Sequence, residues 1–230
     1  MKIEILEFVD GARNARGITV VIDVFRAFSS ACYAYDSGAV RVIAASSIDA
    51  SFILRRSYRN SVLAGERNEK KIEGFDFGNS PTEIIETDLQ GRTVILTTTA
   101  GTNGLINAEK ADIILTGSLV NASAVVKYIR NINPEHVSLV AMGYRGSISA
   151  DEDLLCAEMI KAGLTGKKIN FDDQIKDLRF GSGARFFKPE NLEYSPPTDF
   201  FLCTMKDRFN FVLRGEKRED GNINLAKIEL

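Results

Sequence analysis

Residues 18–24, ITVVIDV, form an almost unbroken apolar, β-branched run, the pattern of a strand covered on both faces. A helical stretch over 27–37 follows, then a second strand in VRVIAAS, a helix over 48–59 and a short strand in SVLAG. After a long polar loop the alternation resumes: RTVILTT (92–98), a short helix near 102–109, DIILTG (112–117), a helix over 121–130 and HVSLVAMG (136–143). A strong helix runs from near Ser149 through DEDLLCAEMIKAG, and the N-terminal MKIEILEFVDG alternates like a strand. Strands alternating with helices predict an α/β class chain, a layered α/β/α sandwich on a largely parallel or mixed sheet. The segment 165–230 is less regular, with two or three helices, a strand at FNFVLR (209–214) and a charged stretch, RGEKRED, that reads as a solvated turn.

The pattern also repeats. Residues 17–34 align with 91–108 at an offset of 74, and 39–51 with 111–123 at an offset of 72. This suggests an internal duplication of β-α-β-α units, with repeat-like halves at about 17–60 and 91–130 inside one domain spanning 1–230; any two such units also look alike without common origin. In register, Asp23 and Thr97 fall at equivalent strand ends, where open α/β sheets bind ligands.

Composition narrows the field. The chain has 230 residues, 44% hydrophobic and 26% charged, enough for a buried core. A formal charge of −2 offers no global attraction to nucleic acid or an anionic membrane. No apolar run is long enough to span a bilayer, no signal-peptide pattern opens the chain, and three separated cysteines form no CxxC pair. A reducing, cytoplasmic setting is the expectation, with no nucleic-acid or membrane partner.

The chemistry concentrates in polar segments. Asp23 ends a buried strand, so it needs a counter-charge or hydrogen bonds: either Arg26 pairs with it, or it serves a ligand. In TTTAGTNG, the hydroxyls of Thr98, Thr99 and Thr102 and the glycine Gly101 open a helix, a setting for a phosphate or sulfonate or simply a polar β-turn-α connection. The loop ERNEKKIEGFDFGNSPTEIIE ends in a helix start, with Ser80 as cap, Pro81 at the first position and Glu83 completing a capping box. Glu66, Arg67, Asp76 and Asn79 remain unexplained by that cap. Three carboxylates, Asp23, Glu66 and Asp76, suit a hard cation such as Mg²⁺. In RGSISADEDLL, Ser149 reads as a cap and Glu152 as its box partner, yet Asp151, Glu152 and Asp153 exceed what a cap needs. Arg145 is suited to an anionic substrate group. No GxGxxG or P-loop is present. His136 reads as structural, and the cysteines sit in apolar helical settings unsuited to a nucleophile.

VVIDVFRAFSS, GERNEKKIEGFDFGNSP, TTTAGT, GSLVNASAV and DEDLLCAEMI, in this order, resemble the 2-phosphosulfolactate phosphatases, the ComB-like family, over about residues 17–165. Where that family usually reads RATS and TTNGT, this chain has RAFS and TTAGT, placing Phe28 and Ala100 at the differing positions. The resemblance implies an α/β sandwich and a Mg²⁺-dependent phosphatase converting 2-phosphosulfolactate to 3-sulfolactate on the route to coenzyme M. It implies an acidic magnesium site carried by Asp23, Glu66, Asp76 and Glu152 or Asp153. Arg26 and Arg145, with helix N-terminal amides after Thr99 and Ser80, are the expected holders of phosphate and sulfonate; Asn79 joins them as a substrate contact. The alternative is a non-catalytic, or differently specific, binder of phosphorylated 2-hydroxy acids. The C-terminal third is expected to serve as scaffold or as a homodimer surface.

Overall fold

The computed structural model describes residues 1–230. Its strands are β1 (Lys2–Glu7), β2 (Gly17–Ile22), β3 (Arg41–Ala44), β4 (Ser61–Arg67), β5 (Lys70–Lys71), β6 (Thr93–Thr97), β7 (Ala111–Gly117), β8 (His136–Ala141), β9 (Phe211–Lys217) and β10 (Ile223–Glu229). The α-helices are α1 (Phe8–Asn14), α2 (Ala27–Asp36), α3 (Ile48–Ser57), α4 (Pro81–Ile85), α5 (Gly101–Asn107), α6 (Ala122–Ile132), α7 (Asp151–Thr165), α8 (Asp172–Asp177) and α9 (Pro197–Cys203).

Alternation along the strands decides the layers. In β2, Val21 joins a core formed with Ala12, Phe28 and Leu105 from α1, α2 and α5. Its neighbours Val20 and Ile22 join the opposite core, with Val125 and Ile129 of α6 and Cys156 and Ile160 of α7. In β6, Val94 and Leu96 share the first core, while Ile95 meets Leu54 of α3 on the other side. Both faces of these strands are covered, as their apolar runs require, and the result is an α/β/α sandwich. No helix is long and apolar enough to cross a membrane.

The strand order is β1-β8-β2-β7-β9-β10-β3-β6-β4-β5. Two parallel blocks, β1-β8-β2-β7 and β3-β6-β4, are joined by the antiparallel hairpin β9–β10. β2 and β6, matched by the repeat, each lie at the centre of three parallel strands, and each pairs with the second strand of the other unit (β7 and β3). Three antiparallel steps separate the blocks (β7 to β9, β9 to β10, β10 to β3), so the ladder reverses direction between β2 and β6. Asp23 and Thr97, at equivalent strand ends, thus follow strands of opposite direction. Twist of roughly 20–25° per strand, accumulated over the intervening steps, turns opposed strands toward crossing ones, which lets their following loops meet.

Two local readings change as well. The segment read as a solvated turn is partly strand: β9 continues to Lys217, and residues 223–229 form a tenth strand. The cap of α7 is Ala150; Ser149 instead donates its hydroxyl to Glu7 Oε2 at 2.6 Å.

Candidate functional site

The loops after β2, β4, β6 and β8 converge on one small pocket. Asp23, Arg26, Glu66, Asn79, Thr99 and Arg145 all line it, joined by Glu69, Tyr144 and Arg185. The predicted polar segments, scattered along the sequence, therefore do come together, though not every residue in them faces the pocket.

Asp23 is its centre. The side chain is buried, and Oδ1 accepts the Ala27 amide at 3.2 Å. Gly101 is needed beside it: a Cβ there would stand 2.8 Å from Asp23 Oδ2 and 2.9 Å from the Ala27 Cβ. Arg26 is not its partner, and no basic side chain lies within 4.0 Å of it. Burial pushes the Asp23 carboxyl up to about 6, and the like charges of Glu66 and Glu152 push the same way.

The other acidic residues divide by what their oxygens already hold. Glu66 accepts the Thr99 amide on Oε1 at 2.7 Å and the Glu69 amide on Oε2 at 2.9 Å, so it ties the loop after β6 to the turn after β4. Asp153 accepts Val24 N–H and Gly143 N–H, each at 2.8 Å, and clamps the loops after β2 and β8 together. Burial, then repulsion from Glu152 and Asp23, raises its carboxyl well above the usual range. Glu152 is buried, and its Oε2 has no hydrogen-bond partner. Burial raises it too, with the Arg185 charge opposing. Asp76 is not part of the pocket. It accepts the Leu63 amide at 2.8 Å and forms an ion pair with Arg55 at 3.1 Å; the glycines flanking it serve that local turn.

The arginines also separate. Arg26 donates through Nη1 to Asp199 at 2.6 Å and to Tyr194 O at 2.7 Å, and this ion pair is 3% and 0% exposed. Asp199 further accepts Ser80 Oγ at 2.8 Å, Thr82 N–H at 3.0 Å and Thr82 Oγ1 at 2.7 Å, all on Oδ1. Ser80 is thus bound into this network rather than presented to a ligand. Arg145 is exposed, sits in a turn between Gly143 and Gly146, and has no carboxylate within 4.0 Å. From the segment expected to be scaffold, Tyr194 and Asp199 hold Arg26 in place, and Arg185 reaches the pocket lining.

Thr98 and Thr102 are turned inward on each other. Thr98 Oγ1 accepts the Thr102 amide at 3.2 Å, and Thr102 Oγ1 donates to Thr98 O at 2.7 Å. They close the first turn of a seven-residue helix, and the Thr99 amide is taken by Glu66. The buried acceptors of the pocket without a hydrogen bond are Asn79 Oδ1, Thr99 Oγ1 and Glu69 Oε1, the last within ion-pair distance of Arg185. All three cysteines are buried, and burial raises their thiols, which disfavours a thiolate nucleophile.

Gly143 gives a direct check of the clamp. Its φ is 70°, and a Cβ would meet Ile148 O at 2.4 Å. Gly143→Ala is expected to cost about 2 kcal/mol or more from left-handed backbone strain and that clash. It would also displace the Asp153 contact and Arg145; thermal melting and substrate affinity should both worsen, and a variant matching the parent in both would contradict the clamp.

The acidic side chains do not group into a closed metal cage. A Mg²⁺ that keeps several waters needs only one or two carboxylates and completes its shell with substrate oxygens. Asp23, a buried carboxylate without a counter-charge, fits that requirement, and the unpartnered Asn79 Oδ1 and Glu152 Oε2 are further oxygen donors.

The fold and pocket together define an α/β protein with a small polar crevice, at the ends of its strands, lined by acidic and basic side chains alike. A sequence model of the family described as 2-phosphosulpholactate phosphatase matches residues 5–181. The chain is 41% identical over 208 residues to a probable 2-phosphosulfolactate phosphatase of Caldanaerobacter subterraneus subsp. tengcongensis, covering 84% of this chain and 85% of that one. It is 37% identical over 226 residues to one of Clostridium acetobutylicum (90% and 94% covered), and 36% over 175 residues to one of Carboxydothermus hydrogenoformans (76% and 72%). The chain belongs to the 2-phosphosulpholactate phosphatase family, a group of phosphoric monoester hydrolases.

Proposed function

We propose that the pocket hydrolyses a small phosphomonoester bearing further anionic groups, 2-phosphosulfolactate in particular, to inorganic phosphate and 3-sulfolactate, and that the reaction requires Mg²⁺. The observation that carries this reading is Asp23: a buried carboxylate, without counter-charge, in a pocket that also holds Arg145, a cation that no carboxylate pairs. A binding protein for anions alone gains nothing from such a group, because it repels the ligand. A phosphatase gains a place for a cation facing the phosphoryl oxygens.

Asp23 is assigned to hold the cation, with Asn79 Oδ1 and Glu152 Oε2 as the nearby oxygens free to join it. Bound Mg²⁺ would neutralise phosphoryl oxygens and orient the attacking water. The chain's own residues do the rest. Arg145, with no internal partner, neutralises charge that builds on the transferring group. Asp153 fixes the loops carrying Asp23 and Arg145 relative to each other, and Glu66 fixes Thr99, so the pocket is organised before substrate arrives. Water adds to phosphorus, the ester P–O bond breaks, and the alcohol oxygen leaves with a proton.

Phosphate release from 2-phosphosulfolactate is the test. Chelation with EDTA should abolish it, and added Mg²⁺ should restore it. Release unchanged by chelation would overturn the metal requirement. Tight binding of the ester with no release would overturn hydrolysis and leave a binding protein.

A further inference from the structure

The pocket arginines differ in how far their charge is already neutralised. From this we propose that Arg185 is a specificity-determining residue, which receives a second anionic group of the substrate, a carboxylate or sulfonate, in exchange for the side chain of Glu69. This rests on the phosphomonoester reading above.

Arg26 is committed: Asp199 neutralises it inside the protein, and the pair is sealed from water. Arg145 is open and is assigned to the phosphoryl group. Arg185 lies between these extremes. Its Nη1 stands 3.0 Å from Glu69 Oε1, its Nη2 donates to Phe25 O at 3.0 Å, and its Nε is buried without a partner. The guanidinium is held flat among rings, 5.1 Å from the centroids of Tyr144 and Phe186 and 6.0 Å from that of Phe25. Arg145 rests on the same Tyr144 ring, also at 5.1 Å. Two cations against one ring, lining one pocket, match a ligand carrying two anionic groups a short distance apart. 2-Phosphosulfolactate has this chemistry, with a carboxylate and a sulfonate beside its phosphate.

Glu69 is built to let go. Its backbone is fixed independently of its side chain: φ is 69°, after Asn68 at 53°, and its amide is held by Glu66 Oε2 at 2.9 Å. Rotation of the side chain alone therefore frees Arg185, with the turn left in place. The incoming anion supplies the negative charge that Glu69 withdraws, so Arg185 is never left buried and unpaired. In the free protein the Glu69 carboxylate stands where the substrate's second anion will go. A planar guanidinium suits this exchange because carboxylate and sulfonate both present paired oxygens to its fork.

The test compares 2-phosphosulfolactate with p-nitrophenyl phosphate, which lacks a second anion, in the parent, Arg185→Gln and Glu69→Gln proteins. The preference for 2-phosphosulfolactate, as the ratio of kcat/KM values, should fall at least about tenfold in Arg185→Gln, chiefly through KM, the scale of one lost charged hydrogen bond. In Glu69→Gln the KM for 2-phosphosulfolactate should fall severalfold, because the internal competitor is gone; a merely structural ion pair would give the opposite sign. Equal losses on both esters in Arg185→Gln, or an unchanged or raised KM in Glu69→Gln, would overturn the assignment. Titration calorimetry with 3-sulfolactate reads the same contact without turnover. Affinity should weaken about tenfold in Arg185→Gln and tighten in Glu69→Gln. If this holds while neither ester is hydrolysed, the phosphatase reading fails and the Arg185 contact stands. If the parent hydrolyses 2-phosphosulfolactate but 3-sulfolactate binding is absent or identical in all three proteins, the Arg185 contact alone fails. Should Arg185→Gln not fold, the Glu69→Gln protein decides both measurements.

Discussion

An Asp23→Asn protein should be more stable than the parent at pH 8 and nearly inactive. The reasoning starts from the absence of a partner: Arg26 faces Asp199, so the substitution strands no guanidinium. The folded protein favours the protonated form of Asp23, whose carboxyl titrates near 6 against an ordinary value of 3.8. A raised carboxyl contributes stability that is present below its unfolded value and is lost as pH rises through its folded one. In the metal-free parent, stability should therefore decline between about pH 4 and pH 6–7, and Glu152 and Asp153, shifted in the same direction, deepen the decline. Asparagine copies the protonated state at every pH. The variant and parent should melt together near pH 4 and separate at pH 8 by up to on the order of 3 kcal/mol, the worth of such a shift. Mg²⁺ should raise the melting point of the parent at pH 8 far more than that of the variant. Turnover should fall on the order of a hundredfold or more, as for loss of a strong electrostatic contact in a transition state. A variant that melts lower at pH 8 and retains turnover per folded molecule would remove Asp23 from the centre of the site.

Asp199→Ala should have the opposite balance, with stability the first casualty. Asp199 is fully buried and neutralises Arg26, and it also anchors the start of α4 through Ser80 and Thr82. Removing it leaves a buried cation unpaired, a loss of roughly 3–5 kcal/mol, or about 6–20 °C in melting temperature for a domain of this size. Asp199→Asn keeps an acceptor but not the charge, and should fall between the two. Calorimetric scans of the three proteins check the order; an alanine variant within a degree of the parent would mean that Arg26 finds another partner.

Much of this architecture was legible in the chain, for physical reasons that also mark the limits. Strands such as β2 and β6 are buried on both faces and so leave unbroken apolar runs. β10, INLAKIE, alternates with polar residues and follows a charged turn, so its apolar signal is weak. The sheet order was not legible, because pairing of β10 with β3 joins residues far apart in sequence. At the site, Asp23 announced itself as a carboxylate closing an apolar run. Asp76, flanked by glycines, carried a similar local signal, yet its charge is used by Arg55. Thr98 and Thr102 looked like ligand hydroxyls because a helix cap and an anion cradle draw on the same residue types. Arg185 and Asp199 lie in an aromatic, proline-punctuated stretch with no periodicity. Only the folded chain shows that one meets Glu69 and the other Arg26.

The hairpin at the middle of the sheet has a consequence for how the protein is made. β9 and β10 are the last two strands in chain order, yet they occupy the central positions between the two parallel blocks. While the ribosome is still translating residues before 211, each block can assemble but presents, besides its outer edge, a second open edge, β7 in one case and β3 in the other. Such edges recruit strands from other chains, and a topology dominated by distant pairings closes slowly. The nascent chain therefore passes through a stage at which it is most exposed to self-association until β9–β10 emerges, and that hairpin acts as the fastener that closes the sheet.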